Sequence, residues 1–219
     1  MHPPPSRYKA VLERLQPNTT VLDVGIGTGK ALINNADLIV KKRLQFVGVD
    51  YDEDYILRCK QLIDEAQLQD SIRATCESIY DFKGIPGGPT RYDAAYFSGS
   101  LMIMPDPVAA LRHVKDNLLK PGGMIYTTQT FEAKRNPVLE KLKPMLKFLT
   151  TIDFGRVTYE KDFLVAVQKA GLVVKERVSL SGDKSGKGSN ARQFMLYALQ
   201  PGSGSSGSSG RSTKSNKVE

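Results

Sequence analysis

The sequence DVGIGTGK, residues 23–30, places one carboxylate directly before three glycines at alternate positions. Glycine has no Cβ, so a ligand can approach the backbone of such a loop closely. Asp23 would repel a phosphate group and attract a cationic amino group. The residue types and their spacing therefore indicate a binding loop for a ligand that carries positive charge.

Two common phosphate-binding loops fail to match this stretch. A P-loop needs glycine where Val24 stands and a hydroxyl where Ala31 stands. A dinucleotide-binding loop of the form G-x-G-x-x-G, counted from Gly25, has Lys30 in place of its third glycine. The pattern that remains is D-x-G-x-G-x-G, formed by Asp23, Gly25, Gly27 and Gly29.

Buried strands and amphipathic helices alternate along the chain on both sides of this loop. Strands are predicted at residues 19–25, 44–50, 71–78, 91–100, 124–131, 172–180 and 192–199. Helices are predicted at residues 6–17, 31–42, 53–67, 108–119, 132–150 and 159–171. This order predicts an α/β fold that is Rossmann-like and doubly wound, with a mostly parallel seven-stranded sheet. The loop between the last two strands is too short for a crossover helix, so the last strand is expected to be antiparallel.

Several motifs resemble those of the class I S-adenosylmethionine-dependent methyltransferases, in the same order and over most of residues 21–199. VLDVGIGTGK resembles the first motif of this family, and the strand that ends in VGVD resembles the second. The resemblance implies that S-adenosyl-L-methionine is the cofactor, that Asp50 binds its ribose hydroxyls, and that Tyr51 belongs to the same site. Asp50 lies about 20 residues beyond the glycines, where a ribose-binding acid is expected.

The later motifs extend this resemblance. ATCESIYDF is similar to the third motif, which implies that Glu77 faces the adenine amino group and that Ser78 lies beside the ring. YDAAYFSGSLMIMPDP is similar to the fourth, which implies that Ser98 to Leu101 lie under the methyl donor at the end of a strand and that Ser98 belongs to the cofactor site. LLKPGGMIY resembles the recurrent turn before the fifth strand. The resemblance assigns no catalytic residue.

The methyl acceptor is expected to be a small molecule. The Asn/Asp-Pro-Pro-Tyr/Phe sequence of many amino-group methyltransferases of DNA and protein is absent after the fourth strand, and the chain is most similar to the branch of quinone and other small-molecule enzymes. In that branch a histidine often follows the fourth strand, where this chain has Met102, Ile103 and Met104. The alternatives are an RNA or protein methyltransferase and a non-catalytic adaptor that uses the fold for association.

Composition places further limits on the function. Residues 1–200 are predicted to form one methyltransferase domain, and residues 201–219 to form a disordered Gly/Ser-rich basic tail. The two cysteines are expected to be reduced and partly buried, and no metal-ligand spacing occurs. The chain begins without an apolar leader and has no run of about 20 apolar residues, which indicates an intracellular, cytoplasmic protein without membrane insertion.

Residues 131–158, after the fifth strand, are expected to form a small lid over the acceptor pocket. Five basic residues fall within it: Lys134, Arg135, Lys141, Lys143 and Lys147. Together with the net charge of +8, they predict at most a nucleic-acid binding that is weak, salt-sensitive and independent of sequence. Two glutamates interrupt the basic run, and no basic strand with interleaved aromatic residues offers platforms for base stacking.

Overall fold

The computed structural model describes residues 7–132, 158–180 and 192–202. The strands in these residues are β1 (Thr20–Val24), β2 (Gln45–Asp50), β3 (Ile72–Cys76), β4 (Tyr92–Ser98), β5 (Leu119–Glu132), β6 (Leu172–Ser179) and β7 (Arg192–Pro201). The α-helices are α1 (Arg7–Arg14), α2 (Lys30–Ile33), α3 (Ala36–Lys42), α4 (Glu53–Glu65), α5 (Pro107–His113) and α6 (Glu160–Lys169). A 3₁₀ turn covers Leu101–Ile103, and a π-helical turn covers Val114–Leu118.

The strands of the described residues form one sheet in the order β3-β2-β1-β4-β5-β7-β6. Strands β1 to β5 are parallel to one another. Strand β7 runs antiparallel to both β5 and β6. The predicted doubly wound fold with an antiparallel last strand is therefore confirmed. The strand order reverses between β1 and β4, which is where ligands bind in open α/β sheets.

Helices cover both faces of the sheet, so the central strands are largely buried on both faces. Val21 of β1 packs with α1, α3 and α4 on one face. Leu22 and Val24 pack with α5 and α6 on the other face. Successive residues of a strand point to opposite faces, so these neighbours must bury themselves in different layers. The glycine loop at the end of β1 therefore emerges between two packed layers.

The prediction of one continuous helix over residues 31–42 is wrong, because the chain forms two helices with a break at Asn34 and Asn35. The Asn35 side chain donates a hydrogen bond to the Ala31 carbonyl at 2.8 Å, and its backbone N–H binds the Leu32 carbonyl. Short amide side chains compete with the helical hydrogen bonds in this way. The hydrophobic period alone did not reveal the break.

Strand β5 begins five residues before the predicted start at Met124. Leu119 pairs with Tyr92, and the register then shifts before Met124 pairs with Ala94.

At the C-terminal end of the domain, β7 runs to Pro201 and the Gly202 N–H donates to the Gly171 carbonyl at 3.0 Å. The folded body thus continues two residues past the predicted boundary at residue 200. Residues 203–219 of the predicted tail lie outside the described residues, as do residues 133–157 of the predicted lid and helix.

Lys42 fixes the C-terminal end of α1. Its ammonium group donates hydrogen bonds to the carbonyl groups of Leu12, Glu13 and Leu15 at 2.7 to 3.0 Å. A helix ends with carbonyl groups that have no partner inside the helix, and a cation there also meets the negative end of the helix dipole. Lys42 is the last residue of α3, and its side chain therefore joins α3 to the backbone at the end of α1.

We expect Lys42→Met to lower the free energy of unfolding by about 2 kcal/mol, because hydrogen bonds from a charged donor are lost while the apolar stem remains. Urea unfolding should show a lower midpoint with an unchanged slope. Lys41→Met is the matched control, since Lys41 is exposed and the change removes the same charge from the same turn. Equal destabilisation by both changes would contradict the role of the three carbonyl bonds.

Candidate functional site

The loop between β1 and α2 turns three times through glycines with positive φ. The φ angles are 75° at Gly25, 56° at Gly27 and 66° at Gly29. A Cβ at Gly25 would lie 2.6 Å from the Cβ of Ser100, and a Cβ at Gly29 would lie 2.6 Å from the Cys59 sulfur. A Cβ at Gly27 would meet no atom of the described residues within 4 Å. The loop is thus packed at its two ends and open at its centre.

Asp50 reaches the centre of this loop from the end of β2. Its Oδ2 accepts a hydrogen bond from the Gly27 N–H at 2.9 Å, and its Oδ1 accepts one from the Asp52 N–H at 3.2 Å. Asp52 in turn caps α4 by accepting a hydrogen bond from the Tyr55 N–H. Each carboxylate oxygen can accept more than one hydrogen bond, so Asp50 retains capacity for a ligand's hydroxyl groups.

The chain after β3 lies beside Asp50, because Cys76 is paired with Asp50 in the parallel ladder. The Glu77 N–H donates to the Asp50 carbonyl at 2.9 Å. Ser78 begins a turn, and its hydroxyl accepts a hydrogen bond from the Tyr80 N–H at 3.3 Å. The Tyr51 side chain is 82% exposed. The structure therefore brings Asp50, Tyr51, Glu77 and Ser78 to one edge of the sheet.

The end of β4 closes the other side of the glycine loop. Ser98 ends this strand and is half-buried, where its side chain interacts with Tyr8 and Tyr96. Ser100, two residues later, is buried and donates its hydroxyl proton to the Val24 carbonyl just before the loop. The sequence analysis placed Ser100 in the stretch under the methyl donor and named only Ser98 of that stretch as a cofactor-binding residue. The Ser100 bond joins β1 to β4 beneath the loop.

Asp23 is fully buried beneath the loop and pairs with a residue from α1. Its Oδ2 accepts a hydrogen bond from the Tyr8 hydroxyl at 2.9 Å, whereas its Oδ1 has no hydrogen-bond partner among the described residues. Burial raises the pKa of Asp23 to about 7; the Tyr8 hydrogen bond lowers it and the charge of Asp50 raises it. Tyr8 is a site residue that sequence reasoning missed, because its only signal was one apolar position in a helical pattern.

A cavity of about 190 Å³ lies on the far side of the chain that follows β4. Its lining consists of Met102, Met104, Pro105, Pro107, Thr158, Tyr159 and Asp162. The methyl carbon of Met104 lies 3.9 Å from the position that a Cβ at Gly25 would take. Met104 therefore separates this cavity from the glycine loop by the width of one side chain.

Other residues with reactive side chains have structural contacts elsewhere. His113 Nε2 is 2.8 Å from the Phe82 carbonyl oxygen, which ties α5 to the chain after β3. Asp93 accepts hydrogen bonds from the Thr20 backbone and hydroxyl and from the Lys120 ammonium group. Both cysteines are free, and Cys76 is exposed rather than partly buried. Within the described residues, no group of three or more His, Cys, Asp or Glu side chains could hold a metal ion.

The arrangement suits a ligand with cationic and hydroxyl groups. Asp23 offers a buried carboxylate oxygen without a partner, Gly27 leaves open space beside the backbone, and Asp50 offers carboxylate oxygens at the rim. No ion pair joins either carboxylate to a lysine or arginine within residues 7–132, 158–180 and 192–202. A bound cation would therefore compensate two carboxylates that the described chain leaves uncompensated.

A family model described as a methyltransferase domain matches residues 15–168 of the chain. The chain belongs to this family, and it is a class I methyltransferase that uses S-adenosyl-L-methionine. When bound, this cofactor supplies a methyl group already activated by its sulfonium. The protein's own task is to orient donor and acceptor and to keep water out. No curated protein sequence matches the chain significantly.

Solved structures of low sequence identity share the fold. The [4+2]-cyclase SpnF has a TM-score of 0.66 at 16% identity, with 88% of this chain and 80% of that chain covered. Geranyl diphosphate C-methyltransferase from Streptomyces coelicolor A3(2), crystallised with Mg²⁺, geranyl diphosphate and S-adenosyl-L-homocysteine, has a TM-score of 0.63 at 15% identity, covering 87% and 78%. A putative sarcosine dimethylglycine methyltransferase from Galdieria sulphuraria has a TM-score of 0.64 at 15% identity, covering 88% and 82%.

These comparisons lend no support to the expected nucleic-acid binding. The five basic residues on which that expectation rested, between Lys134 and Lys147, lie outside the described residues. Within the described ranges, every helix is too short or too polar to cross a membrane.

Proposed function

We propose that the protein transfers the methyl group of S-adenosylmethionine to a small molecule bound in the cavity beside Met104. The observation that carries this proposal is the position of the cavity, one side chain away from the glycine loop. The proposed cofactor-binding residues are Asp23, Gly25, Gly27, Gly29, Asp50, Tyr51, Glu77, Ser78 and Ser98.

The chemistry of the cavity supports an acceptor with an apolar body. Two methionines and two prolines are among its seven lining residues, and thioether side chains adapt to irregular apolar ligands. The Tyr159 side chain and the Asp162 carboxylate add polar groups that can orient an acceptor. Several solved relatives of the same fold carry the names of enzymes that methylate small metabolites, which agrees with this class of acceptor.

One wall of the cavity has a firm support. Thr158 and Tyr159 lead directly into α6, whose first residue, Glu160, is paired with Arg177 of β6 at 2.6 Å. Phe163 of the same helix is fully buried against Tyr197 of β7, with ring centroids 4.7 Å apart. The α6 wall is therefore held by the sheet and does not depend on a bound acceptor.

The test is to incubate the protein with methyl-labelled cofactor and a cell extract that has been separated into small molecules, RNA and protein. We expect the label in the small-molecule fraction. Label in RNA or protein alone would contradict the proposal and favour a macromolecular acceptor. Absence of label from all three fractions, with the cofactor bound, would favour a non-catalytic adaptor.

We expect Met102→Trp to lower kcat/KM for the labelled acceptor by at least about 10-fold, because the larger ring fills the cavity. The affinity for S-adenosylmethionine should change little, since Met102 lines the cavity. Ile103→Trp is the matched control: Ile103 stands between the two methionines, is 65% exposed and does not line the cavity. Equal losses for both variants would show that the cavity does not hold the acceptor.

A further inference from the structure

Helix α1 carries the Tyr8 phenol into the interior beneath the glycine loop. Tyr8 is 4% exposed, and its ring meets the Tyr96 ring edge-on with centroids 5.0 Å apart. The helix is fixed by more than this ring. Arg14 forms a bidentate pair with Glu176 of β6, and Arg7 lies over the Phe194 ring of β7 at 4.7 Å. The Tyr8 hydroxyl is therefore a preorganised donor.

The Asp23 carboxylate that receives this hydrogen bond has an unfavourable setting for a charge. Among the described residues, the titratable groups that face it are Tyr8 from α1, Tyr96 from β4, Asp50 from β2 and Cys59 from α4. None of these groups is a cation. An ionised carboxylate in such a place is costly unless it is hydrogen-bonded or paired. The Tyr8 hydroxyl supplies one such bond on Oδ2, and Oδ1 has no partner among the described residues.

We propose that Tyr8 is a positioning residue of this methyltransferase, whose hydroxyl holds Asp23 as a carboxylate with Oδ1 available to a cationic group of S-adenosylmethionine. Cofactor binding is then coupled to proton release. When Asp23 carries a proton in the free protein, that proton passes to the solvent as the cation binds. Tyr8 acts through Asp23 and takes no part in methyl transfer itself. The proposal requires that S-adenosylmethionine binds beside Asp23 and does not depend on which acceptor is methylated.

The direction of the pH effect follows from the surroundings of Asp23. Burial raises its pKa to about 7, so the group is ionised above that pH and neutral below it. The affinity for a cationic cofactor should therefore fall as the pH falls through about 7. The Tyr8 hydrogen bond lowers the pKa of Asp23, so its removal should move the midpoint to higher pH. Burial holds the pKa of Tyr8 itself well above its usual range, so Tyr8 remains a donor throughout.

The experiment is calorimetric titration of the full chain with S-adenosylmethionine between pH 5.5 and 8.5. Wild-type affinity should rise up to about pH 7 and then level off. Tyr8→Phe should bind about 10- to 80-fold more weakly at pH 7, because one hydrogen bond to a charged group is lost. The difference should narrow as the pH approaches 8.5. Titrations in two buffers of different ionisation enthalpy should show about half a proton released by the wild type at pH 7 and nearly one by the variant.

Tyr126→Phe is the matched control. Tyr126 of β5 is buried in the same hydrophobic cluster as Tyr8, and its pKa responds to Glu176 and Arg14 rather than to Asp23. We expect this variant to keep the wild-type pH profile. An equal loss of affinity by Tyr8→Phe at every pH would overturn the proposal, because a purely structural role predicts that result. A wild-type profile that is flat through pH 7 would also overturn it.

A second variant keeps the test decisive if Tyr8→Phe does not fold. Asp23→Asn removes the titrating group and keeps an oxygen for the Tyr8 hydroxyl. Its affinity should be low and independent of pH between about 6 and 8. Retention of the wild-type pH dependence by this variant would place the titration on another group and overturn the proposal.

Discussion

Replacing Asp50 by alanine is expected to weaken the binding of S-adenosylmethionine by at least about 100-fold. Two hydroxyl groups of a bound ribose would lose a charged acceptor, and each lost hydrogen bond lowers the binding free energy by about 1.5–3 kcal/mol. The structure adds a second cause. Asp50 also holds the Gly27 N–H at 2.9 Å, so its removal leaves the centre of the glycine loop without its side-chain support.

Two further variants separate these causes in the same titration. Asp50→Asn keeps an oxygen that can accept from Gly27 and removes the negative charge, so its affinity should lie between those of the wild type and the alanine variant. Asp54→Ala removes a carboxylate from the exposed first turn of α4 and should bind as the wild type does. An affinity of Asp50→Ala within about 3-fold of the wild type would contradict a ribose-binding role, since that corresponds to less than one hydrogen bond.

The second large effect is expected at Gly27, where valine should abolish both cofactor binding and methyl transfer. The new side chain would enter the open space at the centre of the loop, where no atom in the described part of the chain lies within 4 Å of the Cβ position. A valine at a φ of 56° is also strained, by about 1–2 kcal/mol or more. The fold should survive this strain because the Cβ position meets no atom of residues 7–132, 158–180 and 192–202 within 4 Å.

Gly122→Val is the matched control for this change. Gly122 also has a positive φ, 78°, and a Cβ there also meets no described atom within 4 Å, but Gly122 lies near the start of β5 at the opposite edge of the sheet. Thermal unfolding should show similar losses of stability for the two variants. Binding should be lost only for Gly27→Val, and cofactor affinity retained by that variant would mean that the open space is not the cofactor site.

The sequence identified most of the elements that form the site, because the signals are local. A strand buried on both faces reads as a continuous apolar run, and an acid or a glycine directly after it marks the carboxyl end of the strand. Asp23, Asp50, Glu77 and Ser98 all stand at or next to such ends. In a parallel sheet these ends meet at one edge. Their proximity therefore followed from the predicted parallel sheet without any tertiary information.

Some features of the elements escaped local reasoning. The break at Asn34 and Asn35 depends on an amide side chain that binds the backbone within one turn, which does not alter the hydrophobic period. The early start of β5 depends on pairing between Leu119 and Tyr92 across two strands, with an irregular segment between that pair and the regular register. Propensity describes one chain segment at a time, whereas strand pairing is a property of two.

The sequence by itself determined the doubly wound sheet, the glycine loop and the class of cofactor. Tertiary packing alone decided which groups surround that loop. Tyr8 reaches Asp23 because α1 crosses β1 at one particular position, and no pattern within the helix specifies the strand it covers. Ser100 supports the loop from β4, and Met104 separates the loop from the neighbouring cavity, because β1 and β4 are neighbours. These contacts join residues 15 to about 80 positions apart, so they arise only when burial of both faces of the sheet fixes the helices and strands against one another.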